Sequence, residues 1–225
     1  MIEGGVDAIE IGFPYSDPVM DGPIIQAAAD ASLSQGTGAR DVFATLEAVA
    51  QTGTPAVVMT YWNPIERYGV ENFAQSIAQA GGSGVITPDL TIEEAPAWRS
   101  AVLQEGINSI FVVAPSTKDD RLEKVTAECS GFIYAASLMG VTGTRTSVSS
   151  SAKDLVSRIR RVSDTPVAVG LGVSTPEQAH EVAQYADGVI VGSAFIRLLQ
   201  ESNSRDEGMS RVRDLAASLA KGVRR

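Results

Sequence analysis

Seven short apolar runs recur along the chain, each followed by a segment with helical spacing. This alternation restricts the fold more than any other feature. The runs are 8–11 (AIEI), 55–61 (PAVVMTY), 83–88 (SGVITP), 108–115 (NSIFVVAP), 131–137 (GFIYAAS), 166–172 (PVAVGLG) and 186–192 (ADGVIVG). Strands that are apolar at most positions are buried on both faces, as in a parallel sheet covered by helices. Apolar spacing and breakers predict helices over 23–33, 41–52, 70–80, 91–105, 117–128, 152–162, 175–185, 193–200 and 209–220. Thr91 and Glu94 form a capping-box pattern, Thr117 and Thr175 are candidate N-caps, and Pro176 suits a first helical position. Residues 62–64 are expected to be a turn, 138–150 a glycine- and threonine-rich loop, and 201–208 a polar linker.

Seven strand–helix units are one short of a closed (β/α)8 barrel. Residues 1–5 (MIEGG) read as the end of a helix. The expectation is a TIM barrel lacking its first strand, with 1–225 as one N-terminally incomplete domain. Such a barrel leaves unpaired edges on the strands beginning at Ala8 and Gly188. A doubly wound open sheet is the competing architecture, but no Gly-x-Gly-x-x-Gly follows the first strand.

Function classes are narrowed by what the chain lacks. Its 225 residues carry a net charge of −9 and no basic block, which argues against nucleic acid and anionic membranes as partners. A single cysteine, Cys129, allows no intramolecular disulfide and points to a reducing, cytoplasmic setting. No apolar run approaches the roughly 20 residues of a membrane span, and the acidic first residues do not resemble a signal peptide. The one histidine, His180, lies in a surface-helix context, so a zinc or iron site is not expected. None of the four lysines, Lys118, Lys124, Lys153 and Lys221, ends an apolar strand, which leaves a Schiff-base mechanism without a candidate.

In parallel barrels the chemistry sits at the carboxyl ends of the strands. Those ends carry Glu10, Asp17 and Asp21, then Tyr61 and Asn63, then Asp89, then Tyr134, then Gly170 to Gly172, then Gly192 and Ser193. Gly172 and Gly192 follow successive apolar strands, and Ser193 opens a helix. Backbone N–H groups at such turns and at a helix N-terminus attract phosphate. Glu10, Asp17, Asp21, Tyr134 and Asp89 remain as groups able to move protons. Burial of a carboxylate among strand neighbours raises its pKa into the range where it serves as acid and base.

The stretch EIGFPYSDPVMDGPIIQ at 10–26 resembles the signature of the tryptophan synthase alpha chain family. The likeness continues through Gly140-Val-Thr-Gly143, Gly170-Leu-Gly172 and Gly192-Ser193 and covers essentially the whole chain. VMTYWNP and YAASLMGVTG look most like actinobacterial members. The resemblance implies a (β/α)8 barrel cleaving indole-3-glycerol phosphate to indole and glyceraldehyde 3-phosphate by a retro-aldol reaction in tryptophan biosynthesis. It implies that Glu10 protonates the indole ring carbon and helps deprotonate the glycerol hydroxyl, while Asp21 takes the indole N–H. It places Tyr134 on the pocket wall, gives the phosphate to Gly143, Gly172, Gly192 and Ser193, and puts Thr142 on a mobile loop that contacts Asp21. The implied partner is the beta chain, in an alpha2-beta2 heterotetramer. That partner holds pyridoxal phosphate and meets this chain at Asp17, Pro18, Asn63 and Asp89, and no cofactor is expected in this chain.

The chain departs from the pattern in two places. Family members normally carry a further N-terminal segment with a helix and the first strand, and many have an arginine where this chain has Leu138. Two other readings stand beside the lyase: a truncated alpha-type chain that binds or activates a beta chain without turnover, and another phosphate-binding barrel enzyme.

Overall fold

Six of the seven expected strands fold as single parallel strands, and the remaining one as two, in the computed structural model, which describes residues 1–137, 145–170 and 172–224, with only the backbone of 145–149. The strands fall into two four-stranded parallel sheets. The first contains β1 (Ile9–Gly12), β2 (Ala56–Met59), β3 (Gly84–Ile86) and β4 (Asn108–Ile110), in that order. The second contains β5 (Val112–Val113), β6 (Ile133–Ala136), β7 (Val167–Gly170) and β8 (Gly188–Ile190), also in sequence order. Consecutive neighbours throughout, each pair joined through helices, are what right-handed β–α–β crossovers produce. The run expected as one strand at 108–115 is thus two strands that part at Phe111, β4 pairing with β3 and β5 with β6.

The chain divides into two compact units. One comprises Asp7–Phe111 with Glu128–Gly131 and holds the first sheet. Its helices are α1 (Pro23–Ser34), α2 (Ala39–Ala50), α3 (Trp62–Tyr68), α4 (Val70–Gln79) and α5 (Pro96–Gln104). Its core is built from Leu46, Val58, Phe73, Ile77, Val85, Ile86 and Trp98, all fully buried. β3 is buried at every position, whereas Ile9 and Ile11 of the edge strand β1 are only half-buried. That gradient is expected of an edge, where one side of the strand has no neighbour within its sheet.

The other unit comprises Met1–Val6, Val112–Ala127 and Phe132–Arg225, and holds the second sheet. Its helices are α6 (Asp119–Glu128, save its last residue), α7 (Arg145–Ile159), α8 (Pro176–Ala183), α9 (Ser193–Gln200) and α10 (Arg205–Val223). Ile133, Leu155, Ile159, Val167, Val169, Ala179 and Ala216 form its buried centre. Residues 1–5 are not the end of an α-helix but a single 3-10 turn, Ile2–Gly4, closed by Gly5 in the left-handed region at φ 88°.

Several helix starts differ from expectation, each for a local reason. Residues 62–64 are not a turn but the first turn of α3. The Trp62 N–H donates to both Asp89 carboxylate oxygens, at 2.9 and 3.1 Å, and Pro64 is tolerated so near a helix start. α5 begins at Pro96, whose missing N–H suits the first position, and Thr91 and Glu94 form a preceding backbone turn instead of a capping box. Thr117 does not cap α6; its Oγ1 accepts from the Ala114 N–H at 3.0 Å. α7 starts at Arg145, inside the expected loop, and α10 starts at Arg205 because Ser204 accepts from the Glu207 N–H at 3.2 Å. The Thr175 cap is as expected: it accepts from Gln178 N–H at 3.3 Å while the Gln178 side chain accepts from Thr175 N–H at 3.2 Å.

α10 lies close against α8 and the opening 3-10 turn. His180 is half-buried here, with Nδ1 3.2 Å from the Gly222 carbonyl oxygen, so it joins helices rather than facing solvent. A Cβ on Gly222 would stand 2.4 Å from the Pro176 carbonyl oxygen. Alanine normally gains up to about 1 kcal/mol over glycine in a helix, but here the obstacle is backbone. Gly222→Ala is therefore expected to destabilise the protein by about 1–3 kcal/mol, the usual cost of overpacking. Urea unfolding measures it, and an unchanged or raised midpoint would show that the helices separate freely.

Candidate active site

The first unit gathers acids at the carboxyl edge of its sheet. Glu10 sits on β1 opposite Val57, and alternation directs it away from the side of Ile9 and Ile11. By accessible area the Glu10 side chain is exposed on this edge strand. Protein atoms around the carboxyl still remove part of its hydration, and the negative charge of Asp21 disfavours a second charge nearby. Together these push the Glu10 pKa up to about 7. A carboxyl that exchanges its proton near neutrality suits general acid–base catalysis.

Asp21 lies on the loop after β1. Its pKa is raised by partial burial, against which a hydrogen bond from the Tyr61 hydroxyl acts in the lowering direction. The two carboxylates thus stand in unlike environments, the arrangement that separates an acid from a base. Tyr61 follows β2 by two residues and is buried. Its hydroxyl oxygen accepts from the Met20 N–H at 3.0 Å, and its ring packs against Tyr15 with centroids 5.2 Å apart.

The other strand-end residues of this unit divide by exposure and partner. Asp17 is exposed and accepts from the Ser16 hydroxyl at 2.6 Å, while the adjoining Pro18 is half-buried. Asn63 is exposed on the first turn of α3. Asp89 caps that helix through the Trp62 N–H, and burial raises its pKa. Asp89 therefore has a structural task within the unit that spacing did not disclose.

In the second unit, Tyr134 lies on β6, half-buried. Gly170 of β7 makes room for it, since a Cβ there would come within 2.7 Å of the Tyr134 hydroxyl. The β7–β8 register pairs Gly170 with Ile190, so Gly172 and Gly192 each fall two residues beyond paired positions, on one edge of the sheet. Gly172 adopts φ +71°, a conformation that side chains resist. Gly192 precedes α9, whose first residue is Ser193, and open space lies where a Cβ on Gly192 would be. The first N–H groups of a helix have no acceptor within it, so this end can receive an anion. Thr142 and Gly143, also expected at the site, lie outside the described residues, as does Leu138.

The family model described as "Tryptophan synthase alpha chain" matches residues 1–224. The chain belongs to the tryptophan synthase alpha chain family. It is 56% identical over 225 residues to the tryptophan synthase alpha chain of Streptomyces avermitilis, covering 100% of this chain and 81% of that one. It is likewise 56% identical to that of Acidothermus cellulolyticus, covering 84% of it. Among solved structures it resembles a chain of M. tuberculosis tryptophan synthase in its aminoacrylate- and BRD0059-bound form. That match has a TM-score of 0.90, 49% identity, and 99% and 82% coverage of the two chains. The Legionella pneumophila alpha subunit matches with a TM-score of 0.88 at 31% identity, covering 99% and 84%. Membership of this family carries the (β/α)8 fold class and the actinobacterial affinity expected from the sequence. Among the described residues no helix is long and apolar enough to cross a membrane.

Proposed function

We propose that this chain cleaves indole-3-glycerol phosphate to indole and glyceraldehyde 3-phosphate as the alpha subunit of a cytoplasmic tryptophan synthase. The observation that carries the reading is membership of the tryptophan synthase alpha chain family over residues 1–224, with Glu10 on β1 near enough to Asp21 for their charges to interact. Protonated Glu10 delivers its proton to the indole ring carbon that bears the glycerol chain, and the Asp21 carboxylate accepts a hydrogen bond from the ring N–H, which keeps its proton and becomes a stronger donor as positive charge develops. The bond between that carbon and the glycerol chain then breaks. Its electron pair returns to the ring, and the hydroxyl on the departing carbon becomes the aldehyde as its proton passes to the Glu10 carboxylate. Glu10 ends protonated, ready for another cycle.

Gly172, Gly192 and Ser193, with Gly143, hold the phosphate, and Tyr134 and Thr142 line the substrate site. This chemistry consists of proton transfers and phosphate binding, so the chain needs no cofactor of its own. Pyridoxal phosphate belongs to the beta chain, the partner in an alpha2-beta2 assembly, which the chain meets through Asp17, Pro18, Asn63 and Asp89.

The purified chain, assayed alone and with a tryptophan synthase beta chain, is expected to release indole from indole-3-glycerol phosphate, faster with the partner. No indole under either condition would overturn the reading.

A further inference from the structure

We propose that Tyr61 is a positioning residue for Asp21, clamping the loop through its hydroxyl so that the Asp21 carboxylate is held in one orientation. The inference rests on the lyase reading for its kinetic consequence but not for its geometry. Asp21 is fixed on both sides of its backbone. Before it, the Met20 N–H donates to the Tyr61 hydroxyl oxygen at 3.0 Å; after it, the Asp21 carbonyl accepts from Gln26 Nε2 at 2.7 Å.

A tyrosine hydroxyl has one proton and two lone pairs. One lone pair takes the Met20 N–H at 3.0 Å, which leaves the hydroxyl proton available to the Asp21 carboxylate of the next residue, where donation favours the charged form. Phenylalanine would forfeit both bonds at once.

Tyr61 can act as a fixed post because it is itself held. It is 4% exposed, and its ring rests on that of Tyr15. The next residue is tied down too, since the Trp62 N–H bonds both oxygens of Asp89. The Asp89 loop, Tyr61 and the Asp21 loop thus form one chain of contacts along the sheet edge. Burial opposes ionisation of Asp21, and the Tyr61 hydroxyl from the β2–α3 junction supports it. Glu10 on β1, with its pKa raised to about 7, is protonated at lower pH and brings no opposing charge there.

Tyr61→Phe keeps the ring and removes only the hydroxyl. In the intact chain with beta chain, kcat for indole formation is expected to fall roughly tenfold to hundredfold, the worth of a hydrogen bond to a charged group. KM should change little, and the acid limb of the pH–rate profile should move upward, because loss of the donor raises the Asp21 pKa. A purely structural tyrosine would lower activity without moving that limb.

Two activity-free measurements accompany the kinetics. Carboxyl-labelled NMR, with the Asp21 signal identified by its absence in Asp21→Asn, should show Asp21 titrating at higher pH in Tyr61→Phe. Hydrogen exchange at the Met20 amide should quicken. An unmoved Asp21 titration and an unchanged Met20 exchange would overturn the inference. Absence of indole formation by the unmodified protein would instead sink the lyase reading and leave these two measurements to decide the role of Tyr61.

Discussion

Glu10→Gln is expected to lower kcat for indole release by about 10²- to 10⁴-fold, the range associated with losing a positioned acid–base group. Glutamine keeps the shape and polarity of the side chain but can neither give nor take the proton. Binding of the phosphate moiety, assigned to Gly172, Gly192 and Ser193 in the other unit, should survive, so inorganic phosphate should bind the variant as it binds the parent. Full activity in the variant would remove Glu10 from the mechanism.

The pH profile gives a second, independent handle on the same residue. In the proposed mechanism Glu10 starts the reaction protonated, and desolvation and the charge of Asp21 raise its pKa to about 7. The kcat/KM of the parent should therefore fall as pH rises through about 7, with Asp21, needed as the anion, setting the acid limb. Linkage fixes the sign for stability. A carboxyl whose folded pKa lies above its unfolded value favours folding fully below the unfolded pKa, and that contribution is lost as pH rises through the folded value. Glu10→Gln should consequently gain stability relative to the parent as pH rises, fully above pH about 7 and only slightly near pH 5. Equal differences in urea midpoint at both pH values would contradict the placement of Glu10 in a desolvating site.

What could be read from the sequence follows the distance over which each feature is determined. The strands and most helices were legible because periodicity and breakers are local, and Thr175 with Gln178 was legible because a capping box spans four residues. α3 was not, because the group that caps it, Asp89, is 27 residues away in sequence. The parting of 108–115 at Phe111 was also hidden: an apolar run reports burial on both faces but not which neighbour each half will pair with. His180 looked solvated because its partner, Gly222, is remote in the chain. At the site, Glu10 stood out as a carboxylate inside a strand and Gly172 as a turn glycine. Tyr61 was noted only as a strand end. The usable signal was a tyrosine closing an apolar strand in a chain whose other strand ends carry acids, a place where a hydroxyl donor has something to hold.

Phe73→Ala is expected to cost about 3–5 kcal/mol, the range for deleting a large aromatic from a core, and is the stability change with the largest reach toward the site. Phe73 is fully buried in α4, and its ring meets four others: Phe13 at 6.1 Å, Phe43 at 5.5 Å, Tyr68 at 5.8 Å and Trp98 at 6.2 Å between centroids. Aromatic pairs in such tilted or edge-on geometry add to simple burial, so no smaller residue recovers the whole loss. Two consequences should separate. The urea midpoint should drop for the whole transition, because α4 packs on α3 and α5 and its removal loosens both. Activity per folded molecule should also fall, because Phe13 directly follows β1 and loses its support on the side that leads to the Asp21 loop. Phe73→Leu, which refills most of the volume without the ring, should restore much of the stability and less of the activity. If both variants unfold at the parent's midpoint, the cluster is not the core of its unit. If the alanine variant is destabilised but fully active when folded, the path from Phe73 through Phe13 to the acids carries no functional weight.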